Sequence, residues 1–346
     1  MNKKITIYDI ANKLGITAST VSRALNGNSK ISTVTRKLVN ETAIEMNYKQ
    51  NKLAKALKSG KSYIVGVVIP RIDIDFFSSV IRGIEERINS KGYHVMICQT
   101  YDKGHLEAKN INSLLGAHVD GIFMSLSNSN IDNTEYFNEL VKKEIPFIFF
   151  DRKKNITGVS SVVIDDFKGA YMATTHLITQ GCKRIALLTN NHLLQIYENR
   201  YLGYRQALLD NGFEFNQDLV IDTFHDVVEG RKKTKILLDM KTPPDGIFCV
   251  HDHPALGAIQ EIKARGLRVP EDISVVGFSN EPFTGFIELS ITSIDQSPTE
   301  MGRIAAQIFL EEVRNYKRIT SETHVVLTPK LIIRKSSLRN DTAVIS

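Results

Sequence analysis

Apolar positions recur at helical spacing in three short segments at the start of the chain. Thr6 and Asp9 have the spacing of a capping box, and Gly15 ends the segment that they open. The second segment starts at Thr17 and the third at Ser32. The apolar positions of the three segments are Ile7, Ile10, Ala11, Leu14, Val21, Ala24, Leu25, Val34, Leu38, Ala43 and Ile44. This pattern predicts a small domain of three helices.

After Gly60, apolar runs of strand length alternate with helical patterns. One series comprises Tyr63–Pro70, Tyr93–Cys98, Gly121–Met124 and Phe147–Phe150. A second series begins at Val162–Ile164 and continues with Ile185–Leu188, Val220–Ile221, Gly246–Val250 and Ser274–Phe278. Because strands buried on both faces are continuously apolar, the two series predict two parallel-sheet α/β subdomains.

Size and composition are those of a globular protein of two or three domains, with 346 residues of which 42% are hydrophobic and 24% charged. No segment approaches the roughly 18–20 apolar residues that span a bilayer, and the N-terminus lacks the apolar core of a signal peptide. Cys98, Cys182 and Cys249 are far apart in the sequence, a spacing that is typical of reduced thiols. We therefore expect a cytoplasmic protein without membrane contact.

The excess positive charge lies in the first 60 residues, which carry eleven Lys or Arg and three acidic residues. The rest of the chain has 33 basic and 35 acidic residues. A basic head on a nearly neutral body is suited to contact a phosphate backbone, although a solvated basic face would give the same count.

The spacing within the head matches a helix-turn-helix. Ala11 lets two helices cross closely, Gly15 supplies a left-handed turn, and Val21 fixes the second helix; an unrelated three-helix bundle is the alternative. The second helix would then face the major groove with Thr17, Ala18, Ser19, Thr20, Ser22, Arg23 and Asn26. Arg23 is able to contact either a guanine or a phosphate.

The head and the segment that follows it resemble those of a known family. "TIYDIANKLGITASTVSRALNG" is similar to the head of LacI/GalR repressors, and "NYKQNKLAKALKSGKS" to their hinge; the likeness extends to about Lys335. The resemblance implies a hinge helix that is ordered in the minor groove, with Leu57 wedged into a CpG step and Ala54 and Lys58 beside it. It also implies phosphate contacts by Thr6, Tyr8, Tyr48 and Asn51. A plain interdomain linker is the alternative for the hinge.

No enzyme motif is visible in the body: it lacks GxGxxG, GxxxxGK[ST], HExxH and GxSxG. His251 and His253 flank Asp252 in a spacing that could suggest a metal site, but Asp252 is better interpreted as the N-cap of a helix starting near Pro254. We expect no cofactor and no metal. An α/β enzyme is therefore disfavoured.

Polar and aromatic residues follow several predicted strands, where open α/β sheets bind ligands. They include Asp73, Asp75, Phe76, Phe77, Asp151, Arg152, His251, Asp252, Ser279, Asn280 and Glu281. Such groups bind sugar hydroxyls and stack on sugar C–H faces. Phe77 could equally be a core residue, and Asp151 and Arg152 a structural ion pair.

The family resemblance implies a more specific effector site, in a body of the type I periplasmic sugar-binding fold. The family's effector residues correspond to Phe76, Phe77, Asp151, Arg152, Arg200, His251, Ser279 and Gln296. Two of them depart from the pattern, since His251 stands where Asn is usual and Ser279 where many members have Asp. The lost carboxylate disfavours a neutral hexose, and a protonated His251 would accept an acidic or phosphorylated sugar.

Together these observations predict an α plus α/β protein: a helix-turn-helix DNA-binding domain (1–50), a hinge (51–60), an effector-binding and dimerisation domain of two α/β subdomains (61–336) and a tail (337–346). The tail lacks the heptads of a tetramerising coiled coil, and the family resemblance then implies a homodimer. The predicted function is operator-binding transcription regulation, by a repressor under control of a sugar or sugar derivative. A periplasmic-type sugar-binding protein is the alternative.

Overall fold

A computed structural model describes residues 5–49, 60–129, 131, 134–190, 194–314 and 322–339. The chain divides into two compact units, Met1–Ser62 and Tyr63–Ser346, which are described separately below. The predicted hinge residues Asn51, Ala54, Leu57 and Lys58 lie outside the described residues.

The first unit contains the three predicted helices: α1 (Ile7–Leu14), α2 (Ala18–Leu25) and α3 (Thr33–Glu45). The capping box is confirmed, because the backbone N–H and the hydroxyl of Thr6 both donate to Asp9 Oδ2, at 2.8 and 2.6 Å. Gly15 takes the predicted left-handed conformation, with φ 65°. The side chains of Thr17 and Ser32 cap α2 and α3. Each accepts a hydrogen bond from the backbone N–H three residues later, that of Thr20 and Thr35, respectively.

The core of the first unit lies where the three helices meet. Its buried residues are Ile10, Ala11, Val21, Ala24, Val39 and Ala43. The apolar pattern read for α3 is wrong in part, because Val34, Leu38 and Ile44 are exposed. Val39 and Ala43, one turn apart, form the face that packs inward, and the pattern had omitted Val39.

The second unit is an alternation of strands and helices. Its strands are β1 (Ile64–Ile69), β2 (His94–Gln99), β3 (Ile122–Met124), β4 (Phe147–Phe150), β5 (Ser160–Ile164), β6 (Ile185–Thr189), β7 (Val220–Asp222), β8 (Gly246–Cys249), β9 (Ser274–Ser279), β10 (Thr292–Asp295), β11 (His324–Leu327) and β12 (Lys330–Ile332). Its α-helices are α4 (Asp75–Ile88), α5 (Gly104–Gly116), α6 (Thr134–Lys142), α7 (Asp166–Thr179), α8 (Gln195–Asp210), α9 (Val227–Leu238), α10 (Asp252–Ala264), α11 (Phe283–Phe286) and α12 (Pro298–Arg314).

These strands form two sheets, as predicted. The first subdomain contains the sheet of order β11-β5-β4-β3-β1-β2, and the second contains the sheet of order β12-β10-β9-β8-β6-β7. All described pairings are parallel except β10 with β12. The assignment of Val162–Ile164 to the second series is wrong, because β5 pairs with β4 and β11 in the first sheet. An apolar run shows that a strand is buried, but not which sheet it joins.

The chain returns to the first subdomain after it has built most of the second. Helix α12 packs against α4, and Met301, Ala305 and Phe309 lie in the core with Val80 and Ile84. Strand β11 then pairs with β5, and β12 returns to β10. The two subdomains are therefore joined by several chain crossings, an arrangement that allows a ligand cleft between them.

Residues 336–339 are held in the second subdomain. Ser337 is buried and donates to Thr292 Oγ1 at 2.6 Å, while Arg339 donates to the carbonyl oxygens of Pro270, Asp245 and Asp272. Ordered contacts thus extend past the predicted end of the domain at residue 336. Among the described helices, none is both long enough and apolar enough to cross a bilayer.

Candidate functional site

The N-terminal end of α2 presents a cluster of hydroxyl groups. Thr17 Oγ1 lies 2.9 Å from Ser19 Oγ and 2.9 Å from Thr20 Oγ1, and it accepts the Thr20 backbone N–H at 3.2 Å. Thr17 and Ser19 are exposed, and Ala18 and Thr20 are half-buried. Capping thus fixes the helix start and leaves short polar groups at the surface, where a base edge could be reached.

Further along α2, Arg23 and Asn26 are exposed and Ser22 is half-buried. Asn26 Nδ2 donates to the Ser22 carbonyl oxygen at 2.7 Å, which ends the helix. Within the part of the chain that the structure describes, the Arg23 guanidinium has no hydrogen bond or ion pair, so all its donors face solvent. Of the predicted phosphate contacts, Thr6 and Tyr8 are exposed and Tyr48 packs partly on the helical core.

In the second unit, Asp151 and Arg152 follow β4 and are each 6% exposed. Arg152 Nη1 donates to Asp102 Oδ1 at 2.7 Å and to the Leu126 carbonyl at 3.2 Å, and its Nε lies 3.6 Å from Asp151 Oδ2. Burial raises the pKa of Asp151, against the opposing effect of the two arginines nearby. The pair is thus part of a buried ionic network, and it also lines a cleft.

Phe76 and Phe77 start α4 and are buried in the core of the first subdomain. Their rings meet edge to face, with centroids 5.2 Å apart. The Arg152 guanidinium carbon lies 5.7 Å from the Phe77 ring centroid. Phe77 therefore packs in the core on one side and beneath Arg152 on the other.

Arg200, on α8, is 1% exposed and connects four elements of the second subdomain. Its Nε donates to Asp166 Oδ1 at 2.8 Å, its Nη1 to the Val250 carbonyl at 2.8 Å and its Nη2 to Gln296 Oε1 at 3.4 Å. The guanidinium carbon stacks 3.7 Å from the Phe278 ring centroid. Burial raises the pKa of Asp166 to about 6, although the Arg200 charge opposes this.

Gln296 and Ser279 extend this network. Gln296 Nε2 donates to Ser279 Oγ at 3.0 Å, and both side chains are buried. The structure thus brings three of the predicted effector residues, Arg200, Gln296 and Ser279, into one hydrogen-bonded chain at the ends of β9 and β10.

His251 lies at the end of β8, among aromatic rings. Its Nε2 is 3.2 Å from the Tyr197 hydroxyl, and its ring centroid is 4.0 Å from that of His225, which in turn is 5.1 Å from that of His253. Burial first, and then the charges of Arg200 and Arg152 with the neighbouring imidazoles, hold the pKa of His251 well below its usual value. Burial therefore disfavours the protonated form of His251, on which the binding of an acidic sugar would depend.

The prediction that Asp252 is the N-cap of α10 is wrong. His251 occupies that position, and the Asp252 carboxylate instead accepts Ser293 Oγ at 2.6 Å and the Glu281 backbone N–H at 2.8 Å. Asp252 is drawn to these donors because it is fully buried beside the ends of β9 and β10. The described residues contain no group of three His, Cys, Asp or Glu side chains arranged to hold a metal ion.

A cleft lies between the two subdomains. Its lining residues are Asp151, Arg152, Lys153, Val163, Ile164, Asp166, Leu194, Gln195, Ile196 and Asn199. Asp151 and Arg152 are the predicted effector residues that line it. Arg200 and His251 lie behind this lining and contact Asp166 and Tyr197, respectively.

The buried polar atoms of the second unit that lack a hydrogen-bond partner among the described residues include Arg152 Nε, His251 Nδ1, His253 Nδ1 and Glu281 Oε1. Unpartnered buried polar atoms are costly, and in proteins most are satisfied by a ligand or by water. Arg152 and His251 belong to the predicted effector set. Their free nitrogens are consistent with a ligand that carries both donors and acceptors.

Sequence reasoning missed Asp102, Asp166, Tyr197 and His225. Asp102, Asp166 and His225 each follow a strand within a few residues, so the rule that selected Asp151 would have found them if applied to every strand. Tyr197 gave no signal, because its position three residues before Arg200 on α8 is meaningful only when the helix orientation is known.

Comparisons with known proteins cover nearly the whole chain. The profile of "Bacterial regulatory proteins, lacI family" matches residues 6–51, and that of "Periplasmic binding protein-like domain" matches residues 174–337. The chain is 31% identical to the HTH-type transcriptional regulator DegA of Bacillus subtilis (strain 168) over 334 residues, 96% of this chain and 98% of the relative.

Two further similarities agree with this. The HTH-type transcriptional repressor PurR of Pasteurella multocida (strain Pm70) is 29% identical, over 96% of this chain and 98% of the relative. Among solved structures, the complex of the transcriptional regulator CelR with cellobiose superposes with a TM-score of 0.72 and 26% identity, over 96% of this chain and 99% of the other.

Proposed function

Because the chain belongs to the LacI family of bacterial regulatory proteins, we propose that it is a cytoplasmic transcriptional repressor that binds a pseudo-palindromic operator as a homodimer and responds to a small carbohydrate-like effector. The observation that carries the DNA-binding part is the exposed polar end of α2 on a strongly basic unit. Thr17, Ser19 and Arg23 project there from a helix whose start is fixed by its cap.

In this proposal the contacts divide into two classes. Ala18 and Ser19 read bases through a methyl group and a single hydroxyl, and Arg23 contacts a guanine or a phosphate. Thr6, Tyr8, Tyr48 and Asn51 contact phosphates, while Ala54, Leu57 and Lys58 occupy the minor groove. Phosphate contacts set affinity and its salt dependence, and base contacts set sequence preference.

Exchange of Ala18 and Ser19 for two other short residues should change the bases preferred within each half-site. The reason is that short side chains at the helix start are close enough to discriminate single groups on base edges. We expect selection from a randomised duplex library to yield a different consensus from that of the wild type, with overall affinity reduced much less. Thr35→Ala, at the start of α3, is the control and should retain the wild-type consensus. Identical consensus sequences for wild type and variant would place base reading elsewhere in the head.

Dimerisation is supported by exposed apolar side chains on the second unit. Phe286 is 88% exposed, Val228 74% and Phe224 66%, and the edge strand β2 presents Met96 and Ile97. Contiguous exposed apolar patches mark interaction surfaces, so these residues are the candidates for a dimer contact. A second copy of the chain would cover them and would place two heads on the two halves of a palindrome.

The effector part rests on the cleft between the subdomains. We propose that Phe76, Phe77, Asp151, Arg152, Arg200, His251, Ser279 and Gln296 form or support the site, with Gln195 and Asn199 contributing amide groups from α8. The two arginines already face Asp102, Asp151 and Asp166, and burial disfavours a charge on His251. The cleft therefore offers hydroxyl-binding groups and aromatic rings without excess positive charge, which suits an uncharged sugar; the similar CelR was solved with cellobiose.

A panel of neutral and acidic sugars tests this assignment. We expect calorimetry to detect binding of a neutral member of the panel. Asn199→Ala, which removes one amide from the cleft wall, should weaken the binding of this sugar. Asn211→Ala, at the far end of α8, should leave the binding unchanged. Binding of acidic sugars alone, lost as the pH rises, would contradict the neutral cleft.

A further inference from the structure

Glu281 is a buried carboxylic acid that the proposed effector site does not use. It follows β9, is 4% exposed, and its Oε1 has no hydrogen-bond partner among the described residues. The backbone that places it is strained, since Ser279 and Asn280 have φ values of 119° and 52°. Asn280 is held by hydrogen bonds from its side chain to Asp295 and from Arg334 to its carbonyl oxygen Oδ1. The neighbouring backbone is therefore fixed, and it holds the Glu281 carboxyl group in one buried position.

The Glu281 carboxyl group faces the first turn of α4, which belongs to the other subdomain. The N-cap of α4 is Ile74, whose side chain accepts no hydrogen bond, so the first amides of this 14-residue helix receive no cap from their own segment. The Glu281 carboxyl lies against the Asp75 and Phe76 amides, which favour its charged form. Glu281 of the second subdomain thus caps a helix whose opposite face, including Val80 and Ile84, lies in the core of the first.

The charges around Glu281 oppose its ionisation. Asp252, on α10, and Asp75, on α4, both face it with negative charge, and Oε1 has no donor to stabilise a carboxylate. The nearby cation is Arg334, which donates to Asn280 and Thr284 rather than to Glu281. Burial, followed by the two neighbouring aspartates, raises the pKa of Glu281 to about 7.

We propose that Glu281 is a proton-controlled latch between the two subdomains, holding a proton while it caps α4 and releasing that proton when the cleft opens and the carboxyl group enters water. The significance of this latch for regulation rests on the proposed function, because an effector that closes the cleft would then bind together with a proton. The latch itself requires neither effector nor DNA. It acts on the same opening and closing that a ligand between the subdomains would bias.

The direction of the pH effect follows from the two environments. In the closed arrangement the pKa of Glu281 is about 7, and in water it returns to its ordinary value of 4.5. The latch is therefore fully effective below the ordinary value, weakens as the pH rises through the interval between the two values, and contributes nothing further above the higher one. Over that interval the opening equilibrium changes by up to about ten-fold per pH unit.

Other titrating groups must be separated from this effect. Asp252, whose pKa burial raises to about 6, keeps its partners Ser293 and the Glu281 backbone N–H inside the second subdomain when the cleft opens. His225, His251 and His253 have lowered pKa values in the closed arrangement, so opening would let them gain protons and act in the opposite direction. A comparison of wild type with Glu281→Gln cancels these contributions, because both chains share them.

Hydrogen–deuterium exchange of the full chain, followed on the peptide 72–80 and corrected for intrinsic rates, measures this opening. We expect the ratio of the opening constants of wild type and Glu281→Gln to rise at least ten-fold from pH 5 to pH 7 and then to level off. Glu312→Gln is the matched control: its pKa is also raised by burial, but it accepts Ser160 Oγ at 2.7 Å within the first subdomain. This control should follow the wild-type profile.

A ratio that stays constant across this pH range, or a Glu312→Gln profile that matches Glu281→Gln, would overturn the latch. Since the measurement uses the free protein, such a result would leave the proposed DNA binding and effector binding untouched. Loss of sequence-specific DNA binding, conversely, would overturn the proposed function without affecting the exchange result.

Discussion

Arg200→Ala should lower the free energy of unfolding of the second unit by about 3–5 kcal/mol at pH 8, the range found when one partner of a buried ion pair is removed. The side chain is 1% exposed and donates to Asp166, Val250 and Gln296. Without the Arg200 side chain, the Asp166 carboxylate, which is 3% exposed, would be buried and would have no compensating cation on α8. The loss should be smaller at pH 5, because a protonated Asp166 carries no charge to desolvate.

Urea unfolding at the two pH values measures this effect. Arg265→Ala provides the control, since Arg265 is 27% exposed in its side chain and pairs with Asp239 and Glu261 near the surface, where removal should cost under about 1 kcal/mol. Equal losses for the two variants would mean that Arg200 is not the structural centre described above. A stable Arg200→Ala that had lost effector binding would instead assign the guanidinium to the ligand.

Leu57→Ala should weaken operator binding by a few kcal/mol, the scale of an unstacked base step, and leave binding to random DNA nearly unchanged. The reason is the resemblance of the hinge, in which Leu57 corresponds to the residue wedged between base pairs. A wedge acts only on the deformable step of the operator, whereas charge acts on any duplex.

Binding of Leu57→Ala to operator and to random duplex at one salt concentration measures the difference. Lys55→Ala serves as the control, because loss of one positive charge should weaken both complexes to a similar extent. An equal loss on both duplexes for Leu57→Ala would show that Leu57 is not a wedge.

Local rules were sufficient for the head. The Thr6 and Asp9 capping box, the left-handed Gly15 and the start of the second helical segment at Thr17 depend on residues within one turn of each other, and all three were predicted from the sequence. The packing face of α3 was not, since five apolar candidates compete on a 13-residue helix and only contact with α1 and α2 selects Val39 and Ala43.

Non-local packing explains the other differences. The apolar residues of β5 are compatible with either sheet, and only the pairing with β4 and β11 places the strand in the first. The charge of His251 could not be predicted from its ordinary pKa near 6.5, because its burial beside His225 and two arginines is a property of the folded chain. The same holds for Asp252, whose partners are 29 and 41 residues away in the sequence.

Recognition of a particular DNA sequence by this chain is measured by the affinity of the wild-type protein for a palindromic duplex obtained by selection and for a duplex of the same base composition in scrambled order. Both affinities are taken at one physiological salt concentration. We predict a preference of at least about a thousand-fold for the selected duplex. Equal affinities for the two duplexes would show that the chain does not recognise a DNA sequence.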